Sequence, residues 1–336
     1  MTRELSDKIK LISLVCTIMV VYRHAHTMEA FFGGDCDVCH TYYFVAYGFT
    51  GMTSIAVPYF FLISGFFFFK RSYYGEGQYI TMLKKKIRTL FVPFCIWNLL
   101  AIYPLWYSGK MVVEQHWYLY VLDFLHSDYN GPMWYVRTLM LFMLLSPLYD
   151  WIYLLDRKMG KKWELSLQIV ILLYVFTIWW PMDSKTFSTE GILFFMLGGV
   201  IRKHEQWLDK LLPSKWAFVL FTLWIISCFS IELDYWTSKI HLLLGVFAFW
   251  NVIRCGCKGW VASMAGYAFF IYVNHFILLK VIKSLLAPYF YGNETMALVT
   301  FLLSPWLVVL VMWKVGMLWN RFSPKSFAWV TGGRAA

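Results

Sequence analysis

Lys and Arg fall in every second gap between apolar stretches long enough to cross a membrane, and this beat constrains the chain more than any other feature. The stretches run at about 11–31, 51–69, 89–107, 133–153, 165–181, 190–201, 216–232, 240–253, 260–284 and 296–319. A single crossing takes about 20 residues. The sixth and eighth are short, so they either borrow flanking residues or lie half-buried in the bundle. The basic gaps carry Arg3, Lys8 and Lys10; Lys70, Arg71, Lys84, Lys85, Lys86 and Arg88; Arg157, Lys158, Lys161 and Lys162; Arg202, Lys203, Lys210 and Lys215; Arg254 and Lys258; then Lys314, Arg321, Lys325 and Arg334. The intervening gaps hold few bases (Lys110, Lys185, Lys239, Lys280 and Lys283) beside Asp35, Asp37, Glu114, Asp123, Asp128, Asp183, Glu232 and Asp234. Short positive loops stay cytoplasmic. The pattern predicts an all-α integral membrane protein, a single bundle of about ten transmembrane helices with both termini cytoplasmic. Residues 1–336 are expected to form one domain with no separate soluble part.

Composition agrees. The chain is 60% hydrophobic and 15% charged, against about a quarter charged in ordinary globular domains. The net charge of +11 does not signal nucleic acid, because topology already accounts for the scattered bases. The polar, basic start at residues 2–10 leads into a run long enough to remain as a span, so no cleavable signal peptide is expected. Cys16, Cys95 and Cys228 sit in apolar runs as small buried residues. Cys36 and Cys39 share the first outer loop, where an oxidising compartment favours a disulfide. Asp35, Asp37 and His40 crowd that loop, but two Cys and one His without a second half predict no metal site. Cys255 and Cys257 flank Gly256 in a cytoplasmic turn, where thiols stay reduced.

Ionisable groups are costly inside a bilayer, so those that occur there are candidates for function. His24 lies eleven residues after Ser13, about 20° from the same helical face and three turns away. His26 points nearly opposite while the helix persists. An imidazole there is either a base for a hydroxyl proton or, with Arg23, an interfacial anchor. The cluster Lys84, Lys85, Lys86 and Arg88 opens the third span; it either anchors topology on anionic lipid or cradles the phosphates of a cytoplasmic donor. Arg137 lies about one turn into its span, placed either to snorkel outward or to steady an oxyanion. Trp134 and Tyr135 suit a membrane-interface belt or a sugar groove. Asn274 and His275 in the ninth span suit a helix–helix hydrogen bond or substrate positioning. Ser64-Gly65 lets two helices approach closely.

Several segments together resemble the membrane-bound family-3 acyltransferases. They are Met19-Val20-Val21-Tyr22-Arg23-His24-Ala25, Phe60-Phe61-Leu62-Ile63-Ser64-Gly65-Phe66, Gly131-Pro132-Met133-Trp134-Tyr135-Val136-Arg137 with Leu144-Leu145-Ser146-Pro147-Leu148, Phe194-Phe195-Met196-Leu197-Gly198-Gly199, and Phe269-Phe270-Ile271-Tyr272-Val273-Asn274-His275. They occur in the family's order and cover almost the whole chain. The resemblance implies a multi-pass protein, of the bacterial inner membrane, that moves an acyl group, often acetyl, from cytoplasmic acyl-coenzyme A to a hydroxyl of an exported glycan. It implies His24 as catalytic base and Lys85-x-x-Arg88 as the counterpart of the family's two-arginine pattern; on that reading Lys84 and Lys86 are expected beside it on coenzyme A, and Arg137 with Arg23 is expected to steady the oxyanion. Ser64, Trp134, Tyr135, Asn274 and His275 are then expected on the acceptor. The expected partners are the bilayer, acyl-coenzyme A and a glycan or lipid-linked sugar, with no metal. One position departs. The family usually carries Arg or Lys eleven residues before the His, and here that residue is Ser13. Lys10, the nearest base, lies about 21 Å from His24 by helix rise. The rival reading is a polytopic transporter or glycan exporter. It is disfavoured by ionisable groups near span ends and by the lack of paired broken helices.

Overall fold

A computed structural model describes residues 2–69, 78–107, 109, 111, 114, 116–159, 164–179, 188–230 and 235–334. Lys70, Arg71, Lys110, Lys161, Lys162, Asp183, Lys185, Glu232 and Asp234, which helped set the charge pattern, lie outside the described residues. Every regular element among the described residues is helical. In chain order they are α1 (Arg3–Arg23), α2 (Met28–Phe32), α3 (His40–Thr53), α4 (Ala56–Phe68), α5 (Gln78–Lys86), α6 (Val92–Tyr107), α7 (Trp117–His126), α8 (Trp134–Leu144), α9 (Ser146–Met159), α10 (Leu165–Trp179), α11 (Thr189–Lys203), α12 (Ser214–Ser230), α13 (Tyr235–Val252), α14 (Gly259–Gly266), α15 (Ala268–Phe290), α16 (Glu294–Phe322) and α17 (Pro324–Thr331). A π-helical turn, Ile87–Phe91, joins α5 to α6.

Four stretches among the described residues are long and apolar enough to cross a membrane: His40–Phe68, Tyr79–Tyr107, Ala268–Phe290 and Glu294–Phe322. Gly131–Leu144 with Ser146–Asp156 makes a fifth if the pair, bent by 55°, is one crossing. Leu165–Trp179 and Ser214–Ser230 are shorter apolar helices. This is an integral membrane architecture.

The first apolar run does not stay helical to residue 31. α1 starts on a Thr2 side chain that accepts from Leu5 N, the usual N-cap chemistry, and it ends at Arg23. His24 caps it, its N–H turning back to Val21 and Tyr22 carbonyls. Thr27 then holds the chain off the helical path. Its N–H donates to Tyr42 Oη at 2.9 Å and its Oγ1 donates to Ala297 O at 3.0 Å. The assumption that placed His26 opposite His24 therefore fails, because the helix has already stopped.

The chain divides into two compact units. The first comprises residues 1–57, 212–327 and 334–336. Within it α1 packs on α3, α14, α15 and α16, α12 on α3 and α13, and α15 on α16. Tyr22 Oη donates to Leu302 O at 2.9 Å, and Tyr42 N donates to Glu294 Oε1 at 2.8 Å. Phe31, Ile271, Val273 and Phe301 are wholly buried. At the start of α1, buried Lys8 rests its ammonium 3.8 Å over the Trp250 ring.

The second unit comprises residues 58–211 and 328–333. α4 and α11 meet backbone to backbone. A Cβ on Gly65 would lie 1.9 Å from Phe195 O, and one on Gly198 would lie 2.1 Å from Leu62 O. Close approach of this kind needs residues without side chains. Lys203 pairs with buried Asp156 at 3.0 Å, and Ser166 donates to the same carboxylate. Residues 328–333 dock on the π turn: Trp329 lies under Arg88 at 5.7 Å, Val330 O accepts from Trp97 Nε1 at 2.8 Å, and Gly332 (φ +66°) sits where a Cβ would be 2.3 Å from Thr89 O.

Candidate active site

Because α1 ends at Arg23, His24 stands at the helix terminus, half-buried. α15 runs beside α1 and supplies its neighbours. The His24 ring lies 5.3 Å from the His275 ring and 5.3 Å, edge-on, from Phe276. His275 is fully buried, with Nδ1 bonded to Tyr272 O. Further along α15, Lys283 Nζ donates to His26 O at 2.8 Å and to His24 O at 3.5 Å. Arg23 is exposed and donates from Nη1 to Thr50 O at 3.2 Å. His26 is also exposed, with its ring 5.7 Å from Phe301 and Nε2 3.5 Å from Thr50 Oγ1. Asn274 donates to Phe270 O within its own helix.

The first unit thus gathers Arg23, His24, Asn274 and His275 from the residues expected at the site. It adds Lys283, which sequence reasoning counted only as a stray base. Lys283 follows His275 by eight residues on α15. That spacing belongs to the stripe that recurs along one side of a helix, and it was the signal available. The ammonium sits at the His24 end of α1, about three helical turns from Ser13, so it does not occupy the position of the family's missing base. Lys10 does not fill it, being exposed and paired with Asp7 at 3.3 Å.

In the second unit, Arg137 Nη1 donates to His126 O at 2.6 Å and Leu125 O at 3.4 Å, the carbonyl end of α7. Cations suit that end of a helix, where carbonyls lack intrahelical partners. A cavity of about 390 Å³ reaches Arg137 and Lys86, with Leu83, Ile87, Phe91, Met140 and Leu144 among its walls. Lys84, Lys85 and Arg88 are exposed beside it in sequence. The π turn begins at Ile87, so Arg88 leaves the α-helical register of Lys85; such insertions recur at functional sites. Tyr135 Oη donates to Phe60 O at 3.2 Å and lies 2.8 Å from Ser64 Oγ. Its ring lies 4.7 Å from Phe61, and Trp134 lies 6.2 Å from Phe61.

In the loop between α2 and α3, Cys36 and Cys39 form a disulfide. Cys16, Cys95, Cys228, Cys255 and Cys257 are free thiols. No group of three metal-ligating side chains gathers among the described residues.

Residues 8–316 match the family model described as an acyltransferase domain. The chain is similar to the succinoglycan biosynthesis protein ExoH of Rhizobium meliloti (strain 1021), with 22% identity over 315 residues, covering 83% of this chain and 79% of that protein. No solved structure matches.

Proposed function

The chain belongs to this acyltransferase family, and on that premise we propose that it transfers an acyl group, with acetyl the first candidate, from acyl-coenzyme A to a hydroxyl of a cell-envelope or exported glycan. The similarity to a succinoglycan biosynthesis protein supports a polysaccharide or lipid-linked sugar as acceptor. The charge alternation supports about ten crossings and cytoplasmic termini; the family resemblance supports a bacterial inner membrane and a donor arriving from the cytoplasm.

His24 is the general base. The observation that carries this role is its place at the end of α1, half-open, backed by a buried imidazole and braced by an ammonium. A neutral imidazole takes the hydroxyl proton as the oxygen attacks the thioester carbonyl. Cations steady the oxyanion that results; Arg23 and Arg137 are assigned this work, and Lys283 joins them by its place beside His24. Lys84, Lys85, Lys86 and Arg88 hold the phosphates of coenzyme A. The cavity at Lys86 suits its pantetheine arm. Trp134, Tyr135, Ser64, Asn274 and His275 shape the acceptor side, and the inference below gives His275 a more specific task.

Mass spectrometry of surface glycans, with and without the chain, tests this reading. Loss of a single acyl mass on deletion identifies donor and acceptor class together. His24→Ala should reproduce the deletion while the protein still inserts. A fully acylated glycan in that variant would refute the assignment.

A further inference from the structure

His275 is buried completely, and its neighbours fix where its proton sits. A carbonyl oxygen only accepts, so the contact between Nδ1 and Tyr272 O puts the proton on Nδ1. Nε2 is then a bare lone pair, and it has no hydrogen-bond partner among the described residues. Buried acceptors are normally matched. Beside this imidazole lies the His24 ring, 5.3 Å away between centroids and inclined by 45°. A neutral imidazole has one N–H to give and one bare nitrogen. The other charged groups near His24, Arg23 and Lys283, carry only donors. They donate to carbonyls of Thr50, His24 and His26 and cannot accept the His24 N–H.

We propose that His275 is a positioning residue whose Nε2 accepts the N–H of His24 and fixes the tautomer of the base. This rests on His24 being the base. With the N–H of the half-buried His24 ring turned onto Nε2, a neutral chain runs from His24 through His275 to the Tyr272 carbonyl. The second nitrogen of His24 is thereby left bare, turned away from α15 toward the acceptor hydroxyl. During transfer the acceptor O–H bond breaks and its proton moves to that bare nitrogen while the C–O bond to the acyl carbon forms. The C–S bond then breaks, and His24 passes the same proton to the departing thiolate. The N–H held by His275 never leaves His24, so the base returns to its starting tautomer after each turnover. A base whose tautomer is set by a neighbour is a recurrent catalytic device; here the neighbour is neutral.

The test reads the tautomer directly. Protein carrying nitrogen-15 histidine is reconstituted in phosphatidylcholine vesicles and examined by solid-state NMR, with His24→Ala used to assign the His24 signals. The wild type should show a single His24 tautomer and a dipolar correlation between its protonated nitrogen and His275 Nε2. His275→Phe should give a mixture of tautomers, and His275→Gln, whose amide oxygen accepts, should restore the single form. Should His275→Phe fail to insert, the wild-type correlation decides alone. Absence of that correlation, or an unchanged single tautomer in His275→Phe, overturns the proposal. Glycan acylation by His24→Ala is scored separately: activity there would sink the assignment of the base while leaving the tautomer result intact.

Discussion

The ammonium of Lys283 donates to the carbonyl of His26 across 2.8 Å, and it reaches the carbonyl of His24 at 3.5 Å. The chain between α1 and α2 is therefore pinned by a side chain from α15. A hydrogen bond from a charged donor is worth about 1.5–3 kcal/mol. Lys283→Met should loosen this segment and lower acyl transfer by roughly 10²-fold, the scale of losing one oriented charge at a reacting centre. Lys283→Arg should recover part of it. Acylation rates at matched membrane expression check this, and wild-type activity in Lys283→Met would remove the residue from the site.

Lys85 and Arg88 make a second prediction. Charge reversal at both should weaken coenzyme A binding by about tenfold or more, each tenfold being 1.4 kcal/mol. The loss should shrink at high salt, where exposed charges are screened. Calorimetry on the purified protein measures it. Unchanged affinity would make the cluster a topology anchor.

Gly65 has no room for a methyl group, since a Cβ there meets Phe195 O at 1.9 Å, whereas Gly34 has nothing within 4 Å. Gly65→Ala forces α4 and α11 apart and should cost at least the ~1–3 kcal/mol typical of overpacking. Gly34→Ala should be nearly silent. Thermal unfolding in detergent compares the two, and equal melting temperatures would contradict the packing described.

The disulfide between Cys36 and Cys39 closes a very short loop, so it removes little entropy from the unfolded chain. Replacing both by Ser should barely move the melting temperature. A membrane-impermeant thiol reagent should leave the exposed Cys255 untouched in intact cells and label it once the membrane is permeabilised. Labelling of Cys255 in intact cells would invert the proposed orientation.

Much of this was legible in advance because membranes impose coarse rules on sequence. Apolar runs announced α4, α6, α15 and α16, and the paired bases announced the start of the third crossing. The end of α1 was not legible. Nothing in Arg23-His24-Ala25-His26 breaks a helix, and the stop depends on Thr27 being held by Tyr42 and Ala297, partners remote in sequence. Lys283 escaped for a similar reason: only the packing of α15 on α1 brings it to His24. The π turn at Ile87–Phe91 escaped as well, since its docking on Trp329 and Gly332 is tertiary.

That docked tail lies beyond the part of the chain shared with the family model, which stops at residue 316. Arg88, one of the cations proposed to meet the donor, thus leans on Trp329 from outside the matched segment. Grafting tails between family members offers a way to retune donor affinity while every motif residue stays as it is.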